Sequence, residues 1–435
     1  MPYSSAECRH RPRTPRRALL EAMAAGMLAA VALVLLAALA GTAAARPVAG
    51  GAVATGPGAP IGFRLFPVGN PWTADVSGLP VDSNSRHYLA SIGLDSGLHP
   101  DFGTVWNGAP NGIPYIVVRG SQPRVPISFY YAAESDPGPY PIPRNVPIEG
   151  GPVSTGDRHL LVLDVDHRRL YEVYDAHYDS ARRRWRAGSG AVWDLRSKGL
   201  RPDGWTSADA AGLPMLPGLV RYEEVARGVI AHALRFTVGR TRRAYVYPAT
   251  HHASSLTDPD LPPMGLRVRL RADYDISGFS RPVRVILTAL KKYGMIVADN
   301  GSSWFISGAP DPRWNDDLLH ELSRVKGRDF EVVDTRSLWP AVPNVYAGRP
   351  AGLRAGATLR RWGCFADPRG SSWTATVDYG AGGGPHVLQL TSDKRFRLVR
   401  TYRRAGSYRV VVRITDARGA TGKATFVVTV RRAPR

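Results

Sequence analysis

The sequence predicts a mainly β protein, with a β-sandwich or jelly-roll-like main domain that carries a few inserted helices and is followed by a second, small β-sandwich. Glycine (45 residues) and proline (36) together approach a fifth of the 435-residue chain, which favours turns over long helices. Short apolar runs alternate with clusters of turn residues. One run, Leu266–Leu270, alternates apolar and basic residues, as a half-buried strand does.

The first 45 residues are predicted to be a secretory signal peptide. Arginines precede an uncharged apolar stretch from Ala22 to Ala40, and the small residues Ala43–Ala45 follow it. This stretch is close to the about 20 residues that span a bilayer, so an uncleaved membrane anchor over residues 18–40 is the alternative. Both alternatives place the rest of the chain outside the cytoplasm, either secreted or at the cell surface.

The net charge of +21 and the pI of about 10.4 suit anionic partners. The predicted partner is an extracellular polysaccharide or an anionic wall polymer. Nucleic acid is not predicted, because no basic run is interleaved with aromatic residues. Contact with a membrane is expected only through an uncleaved N-terminal segment. The alternative is that the excess of arginine reflects composition rather than a binding surface.

No metal site and no cofactor are predicted. Cys8 lies in the signal segment, so Cys364 would stand alone after cleavage and could form no internal disulfide. His320-Glu321 begins like a zinc-protease helix, but Arg324 occupies the position of the second histidine. Asp164-Val165-Asp166 lacks the glycine of a calcium loop.

Residues 46–62 are predicted to be a flexible linker, and residues 63–340 the main domain, because bulky aromatic residues appear from about Phe63. Leu160–Asp166 and Leu170–Asp175 are predicted to form a hairpin. The other predicted strands are Ile113–Val118, Val125–Tyr131, Ala233–Val238, Ala244–Tyr247, Leu266–Tyr274, Met295–Ala298 and Trp304–Ile306. The predicted helices are Val283–Tyr293 and Asp316–Arg324.

Two long loops interrupt this pattern. Asp136–Thr155 is rich in proline and cannot be a central strand. Arg201–Gly218 combines polar and aromatic residues with helix breakers. Long ordered loops in a compact domain are often functional, although such loops can also cover sheet edges.

Residues 352–431 are predicted to be a separate domain. Cys364–Pro368, Trp373–Gly380, Gly406–Val410 and Thr415-Asp416 occur in an order that resembles the PKD domain, an immunoglobulin-like β-sandwich. The resemblance implies a spacer or binding module in an extracellular protein and implies no catalysis. The chain has Gly380-Ala381-Gly382 where the family has a Gly-Asp-Gly turn.

Histidines and carboxylates near the ends of the predicted strands are candidates for acid–base chemistry on a glycan. His159 or His232 is predicted to act as acid or base, with Glu172 or Asp299 as the partner carboxylate. The residues predicted to bind substrate are Trp193, Asp203, Trp205, Arg235 and His251, with the tryptophans stacking on sugar rings. Each of these residues also has a structural alternative, such as holding a turn or facing solvent on a strand.

The main domain also resembles a group of secreted bacterial proteins of unknown activity, through Leu98–Gly103, Arg201–Pro214, Pro262–Leu270 and Lys291–Ser302. This resemblance assigns no function. Two hypotheses therefore stay open. The protein is either an enzyme that cleaves an extracellular polysaccharide or a non-catalytic surface protein that binds cell wall or glycan.

Overall fold

The computed structural model describes residues 56–197, 200–348, 350–392 and 394–432. The predicted signal peptide, the alternative anchor at residues 18–40 and most of the predicted linker lie outside these ranges. Within them, no helix is both long and apolar enough to cross a membrane.

The chain is mainly β, as predicted. The strands up to residue 332 are β1 (Gly56–Pro57), β2 (His99–Asp101), β3 (Val105–Trp106), β4 (Ala109–Pro110), β5 (Tyr115–Val118), β6 (Ile127–Phe129), β7 (Leu160–Asp164), β8 (Arg169–Tyr174), β9 (His177–Asp179), β10 (Arg184–Ala187), β11 (Ser189–Asp194), β12 (Leu234–Val238), β13 (Arg267–Leu270), β14 (Met295–Asn300), β15 (Phe305–Ser307) and β16 (Phe330–Val332). The helices are α1 (Ser85–Ile92), α2 (Tyr222–Arg227), α3 (Arg281–Lys292) and α4 (Asp316–His320), and short 3-10 turns supplement them.

A five-stranded sheet in the order β1-β5-β7-β8-β11 lies between two apolar layers. Successive side chains of a strand point to opposite faces. Leu161 and Leu163 of β7 therefore join the larger hydrophobic cluster, whereas Leu160 and Val162 join a smaller one that includes Trp185 of β10. Strands β7 and β8 pair antiparallel, which confirms the predicted hairpin.

A six-stranded sheet in the order β16-β13-β14-β12-β15-β2 carries α3. Helix α3 confirms the predicted helix Val283–Tyr293 and buries Val283, Ile286, Leu287 and Leu290 on one face. Strand β12 lies between β14 and β15, so the turn after Asp299 does not join neighbouring strands. The predicted strand Ala244–Tyr247 is wrong, because that segment is a loop with one isolated bridge at Tyr245.

The remaining strands are β17 (Asn344–Tyr346), β18 (Ala351–Arg354), β19 (Thr358–Ala366), β20 (Trp373–Asp378), β21 (His386–Val387), β22 (Arg395–Thr401), β23 (Gly406–Asp416) and β24 (Thr421–Arg431). They form a three-stranded sheet, β17-β19-β22, and a five-stranded sheet, β18-β24-β23-β20-β21. Both sheets contribute to one hydrophobic cluster that includes Phe396 and Val412. Since β17 precedes residue 352, the exact domain boundaries stay a prediction.

Candidate active site

Loops from distant parts of the chain enclose a cavity of about 340 Å³. We call it the acidic cavity, because carboxylates predominate among its ionisable lining residues. Its ionisable and aromatic lining residues are Tyr131, Glu134, Asp157, Tyr174, Asp209, His251 and Asp299. Three of the carboxylates, Glu134, Asp157 and Asp209, lie outside the strands, in a 3-10 turn and in two loops. Much of the cavity is therefore built from segments whose sequence has no periodic pattern.

The floor of the acidic cavity is a buried ion pair between Arg235 of β12 and Asp209. The guanidinium group donates to both carboxylate oxygens, over 3.2 Å and 2.8 Å, and Asp209 is fully buried. A third donation reaches the hydroxyl of Ser307, over 2.5 Å. These bonds satisfy much of the guanidinium group and fix its position beneath the cavity.

The loop that carries Asp209 is tied to its neighbours by backbone hydrogen bonds. The amide of Ala211 donates to the carbonyl of Ala298 in β14, and the amide of Thr250 donates to the carbonyl of Ala211. Gly212 has a φ of +71°, and a Cβ there would collide with the Thr250 side chain, so this turn requires glycine. The loop after Arg201, β14 and the segment around Thr250 are thereby held together at the cavity.

Asp299, near the end of β14, is the carboxylate whose environment most disfavours charge. Burial and the nearby negative charge of Asp209 together raise its pKa to about 7, although Arg235 and His159 oppose the increase. The Arg235–Asp299 distance is 4.0 Å, longer than the contacts that Arg235 makes with Asp209. Asp299 is therefore able to hold a proton near neutral pH and to release it into the cavity.

His251 presents one ring nitrogen toward the acidic cavity. Its Nδ1 is 2.7 Å from the carbonyl of Ala210, so Nδ1 carries the hydrogen and donates it. In the neutral ring, Nε2 is then an acceptor, and it lies 4.0 Å from a carboxylate oxygen of Glu134. Glu134 is held in turn by the amide of Thr206, which donates to it over 3.2 Å.

His159 lies beside the cavity and is almost completely buried. Its Nδ1 donates to Glu149 over 2.5 Å and its Nε2 to the carbonyl of Ala208 over 3.1 Å. Burial favours the neutral ring, but Glu149 outweighs it and raises the pKa of His159 to about 9. His159 is therefore a cation with both nitrogens occupied, suited to positioning the cavity wall and lowering the pKa of Asp299 rather than to exchanging protons with a substrate.

The structure brings together four of the predicted site residues. Asp299 and His251 line the acidic cavity, Arg235 supports its floor and His159 supports its wall. The sequence reasoning did not select Glu134, Asp157, Asp209 and Glu149 as site residues. Position in the two long loops was the available signal for Glu149 and Asp209, and adjacency to His159 was the signal for Asp157.

Glu172 and Trp193 lie apart from the acidic cavity. Glu172 is fully buried and accepts hydrogen bonds from the amides of Met215 and Leu216 and from the indole of Trp193. Burial raises the pKa of Glu172 to about 7, although these donors oppose the increase. Glu172 therefore holds the turn at Met215 and Leu216, and we do not propose it as a catalytic group.

His232 lines a different cavity, of about 330 Å³, with Arg221 and Glu224. Its Nε2 is 3.1 Å from Glu224, and its Nδ1 is 2.8 Å from the carbonyl of Ala233. His232 and Asp299 therefore do not line the same cavity, and we do not retain His232 as the acid–base partner of Asp299.

The last two predicted residues, Trp205 and Asp203, lie close to residues of the C-terminal sheets. Trp205 and Trp193 line a cleft of about 380 Å³ that also includes Tyr346 of β17. The guanidinium of Arg201 lies 5.4 Å from the Trp205 ring. Asp203 accepts a 2.7 Å hydrogen bond from Lys394. The role of Trp205 as a sugar platform stays a prediction.

In the described ranges, no group of three or more histidine, cysteine, aspartate or glutamate side chains is arranged to hold a metal ion. The side chains that line the acidic cavity include a carboxyl group able to donate a proton (Asp299), carboxylates able to accept one (Asp157, Glu134) and a histidine whose Nε2 can accept a hydrogen bond (His251).

No known sequence family matches the chain, and no curated protein matches it. Solved structures match about a fifth of it. The PKD domain of an M14-like peptidase from Thermoplasmatales archaeon SCGC AB-540-F20 is 24% identical, with a TM-score of 0.17 over 20% of this chain and 92% of that one. An immunoglobulin domain from the titin M10–obscurin-like 1 complex is 20% identical, with a TM-score of 0.17 over 21% and 97%. At these TM-scores the matches carry no argument about activity.

Proposed function

We propose that the protein is an exported enzyme that hydrolyses glycosidic bonds in an extracellular polysaccharide, with Asp299 as the general acid. One observation carries this proposal. Asp299 opens into a cavity lined by other carboxylates, while the carboxylate beside it is already paired with Arg235. A glycosidase requires one carboxyl group that stays protonated while another is ionised, and Asp299 fits the first role, because burial and the charge of Asp209 disfavour its ionisation.

The second carboxylate in this proposal is Asp157, which is exposed at the opening of the cavity. It would act as the base that activates water or as the nucleophile. Tyr131 and Tyr174 offer ring surfaces for a sugar, and the Tyr131 side chain is about half exposed. We propose Glu134 and His251 as groups that hydrogen-bond the sugar hydroxyls.

The charge of the cavity narrows the substrate class. Carboxylates on several sides repel a uronate or a phosphate, so a neutral or amino sugar fits the cavity better than an anionic one. The proposal includes export through residues 1–45 and a PKD-like domain at residues 352–431 that spaces the enzyme from a surface or tethers it there. Anionic wall polymers then remain partners for the basic surface rather than for the cavity.

The test is a screen for cleavage of bacterial wall, plant and algal polysaccharides, read as new reducing ends. The full chain is expressed and the protein is collected as the host exports it. We expect activity on at least one neutral or amino-sugar polymer, and about a hundredfold or greater loss in Asp299→Asn and Asp157→Asn. The rate should fall as the pH rises above about 7, because the general acid loses its proton.

Asp273→Asn is the matched control, because Asp273 is an exposed aspartate paired with Arg271 and does not line the cavity. It should keep the wild-type rate. Retention of activity by both cavity variants would refute the assignment of these residues. Binding of a polymer without any cleavage would instead support the second hypothesis, a non-catalytic glycan-binding protein.

A further inference from the structure

A groove of about 1150 Å³ lies between the proline-rich segment 142–152 and the three-stranded sheet β6-β10-β9. We call it the basic groove. Asp157 lines the acidic cavity, whereas the next residue, Arg158, lines the groove. Likewise, Ile148 lines the groove while Glu149 pairs with His159 beside the acidic cavity. The proposed active site uses none of the groove residues.

The charged residues that line the groove are all basic. They are Arg124, Arg144, Arg158, Arg183 and His177. No aspartate or glutamate occurs among the lining residues in the part of the chain that the structure describes. Asp175, just outside the groove, is 2.7 Å from His177, and Asp179 of β9 is 3.0 Å from Arg182, so both nearby carboxylates already face basic side chains outside the set of four arginines.

Two of these arginines are anchored by uncharged acceptors. Arg158 is buried and donates to the carbonyls of Ala176, Pro152 and Ser154 over 2.8–3.0 Å. Arg124 donates to the carbonyl of Pro139 and to the hydroxyl of Tyr171. Carbonyl and hydroxyl partners orient a guanidinium group without neutralising it, so the positive charge stays available to an anion.

The floor of the groove is apolar. Ile142, Val146 and Trp185 are at least nine-tenths buried there, and Val125 and Ile148 are partly buried beside them. Such a floor suits hydrocarbon, because the floor itself offers no hydrogen-bonding partner to a polar ligand.

We infer that the basic groove binds a lipid with a single hydrocarbon chain and a phosphate head group. The chain would lie on the apolar floor between Ile142 and Trp185, and the exposed arginines Arg144 and Arg183 would hold the phosphate. The volume exceeds the range of about 300–1000 Å³ usual for small-ligand pockets, so a ligand of this length has room. The arginines complement either anion, whereas the apolar lining favours this occupant over an acidic polysaccharide.

The test uses lysophosphatidic acid, kept below its micelle concentration, and isothermal titration calorimetry on the full chain. Two further probes separate the contributions: glycerol 3-phosphate carries the head group alone, and an uncharged monoacylglycerol of the same chain length carries the hydrocarbon. We expect lysophosphatidic acid to bind most tightly, with each partial probe weaker by about tenfold or more, as loss of charged hydrogen bonds or apolar burial requires.

The groove variant Arg144→Ala/Arg183→Ala should weaken lysophosphatidic acid binding by about tenfold or more. Both side chains are exposed, so the variant is expected to fold. The matched control is Arg403→Ala/Arg404→Ala, which removes the same charge from exposed positions next to β22. Equal affinities of the two variants would overturn the inference, and so would binding of glycerol 3-phosphate as tight as that of the lipid. Glycan cleavage is not part of this measurement, so its outcome is independent of the proposed activity.

Discussion

Asp299→Asn should make the protein more stable at pH 8 and leave its stability unchanged near pH 4. The substitution keeps the shape of the side chain but removes its ability to ionise. In the folded protein, burial and the charge of Asp209 raise the pKa of Asp299 from 3.8 to about 7. The folded state therefore holds a proton that the unfolded chain releases between these two values, and the stability of the wild-type protein falls as the pH rises through that range.

The magnitude follows from the difference of about three pH units. Each unit corresponds to about 1.4 kcal/mol, so an ionised Asp299 destabilises the fold by about 4 kcal/mol at most. About a quarter of the Asp299 side chain is exposed, and solvent reduces this penalty. A gain of about 2–4 kcal/mol is therefore expected for Asp299→Asn at pH 8.

Urea denaturation at pH 4 and pH 8, with wild-type protein measured in parallel, tests the expectation. Asp273→Asn is again the control, because Arg271 holds the pKa of Asp273 below its usual range, so this variant should gain nothing at pH 8. If Asp299→Asn changed the free energy of unfolding equally at both pH values, Asp299 would not be a protonated carboxyl group in the native protein. A loss of stability at pH 8 would show that its charge is favourable.

Three further substitutions test the neighbouring contacts by urea denaturation at pH 7. His159→Gln removes the cation that faces Glu149 and should cost about 3–5 kcal/mol; a change below about 1 kcal/mol would mean that the pair is not charged. Glu172→Ala leaves three N–H donors without their acceptor and should lower the free energy of unfolding by about 2–4 kcal/mol. The protein that remains folded should cleave glycan at the wild-type rate, and a lower rate would show that Glu172 takes part in catalysis. Lys394→Ala removes the contact with Asp203 and should cost about 1 kcal/mol, and no change would indicate that solvent replaces the lysine at no cost.

The sequence predicts the elements whose side chains follow a local period. Helix α3 was found through its helical apolar period, and the hairpin of β7 and β8 through two short apolar runs on either side of a turn. The predicted strand at Ala244–Tyr247 was wrong, since four residues are too few to distinguish a strand from a loop with a buried aromatic residue. The order of the six-stranded sheet was also beyond the sequence, because β12 and β14 pair across nearly sixty intervening residues.

The candidate site was predictable only in part. Glu172 and Asp299 are both carboxylates at strand positions, and the sequence predicts the same role, that of the partner carboxylate, for either one. They differ because the amides of Met215 and Leu216, from a distant loop, donate to Glu172, whereas Asp299 accepts a hydrogen bond from the amide of its neighbour Asn300 and lines a cavity. A carboxylate's role therefore depends on which loop covers it, and this contact is set by tertiary packing rather than by neighbours in the sequence.

The distribution of charge in the main part of the chain limits what the acidic cavity can accept. A net charge of +21 attracts anions over much of the surface, yet the carboxylates Glu134 and Asp157 line one cavity while the basic residues of the groove lie behind the same backbone segment. We therefore expect acidic ligands to bind outside the cavity and amino sugars to be favoured inside it. Exposed charges are screened beyond about 10 Å at 0.1 M salt. An anionic polymer that inhibits cleavage only at low salt would therefore bind outside the cavity. Inhibition by a competitor inside the cavity would depend much less on the salt concentration.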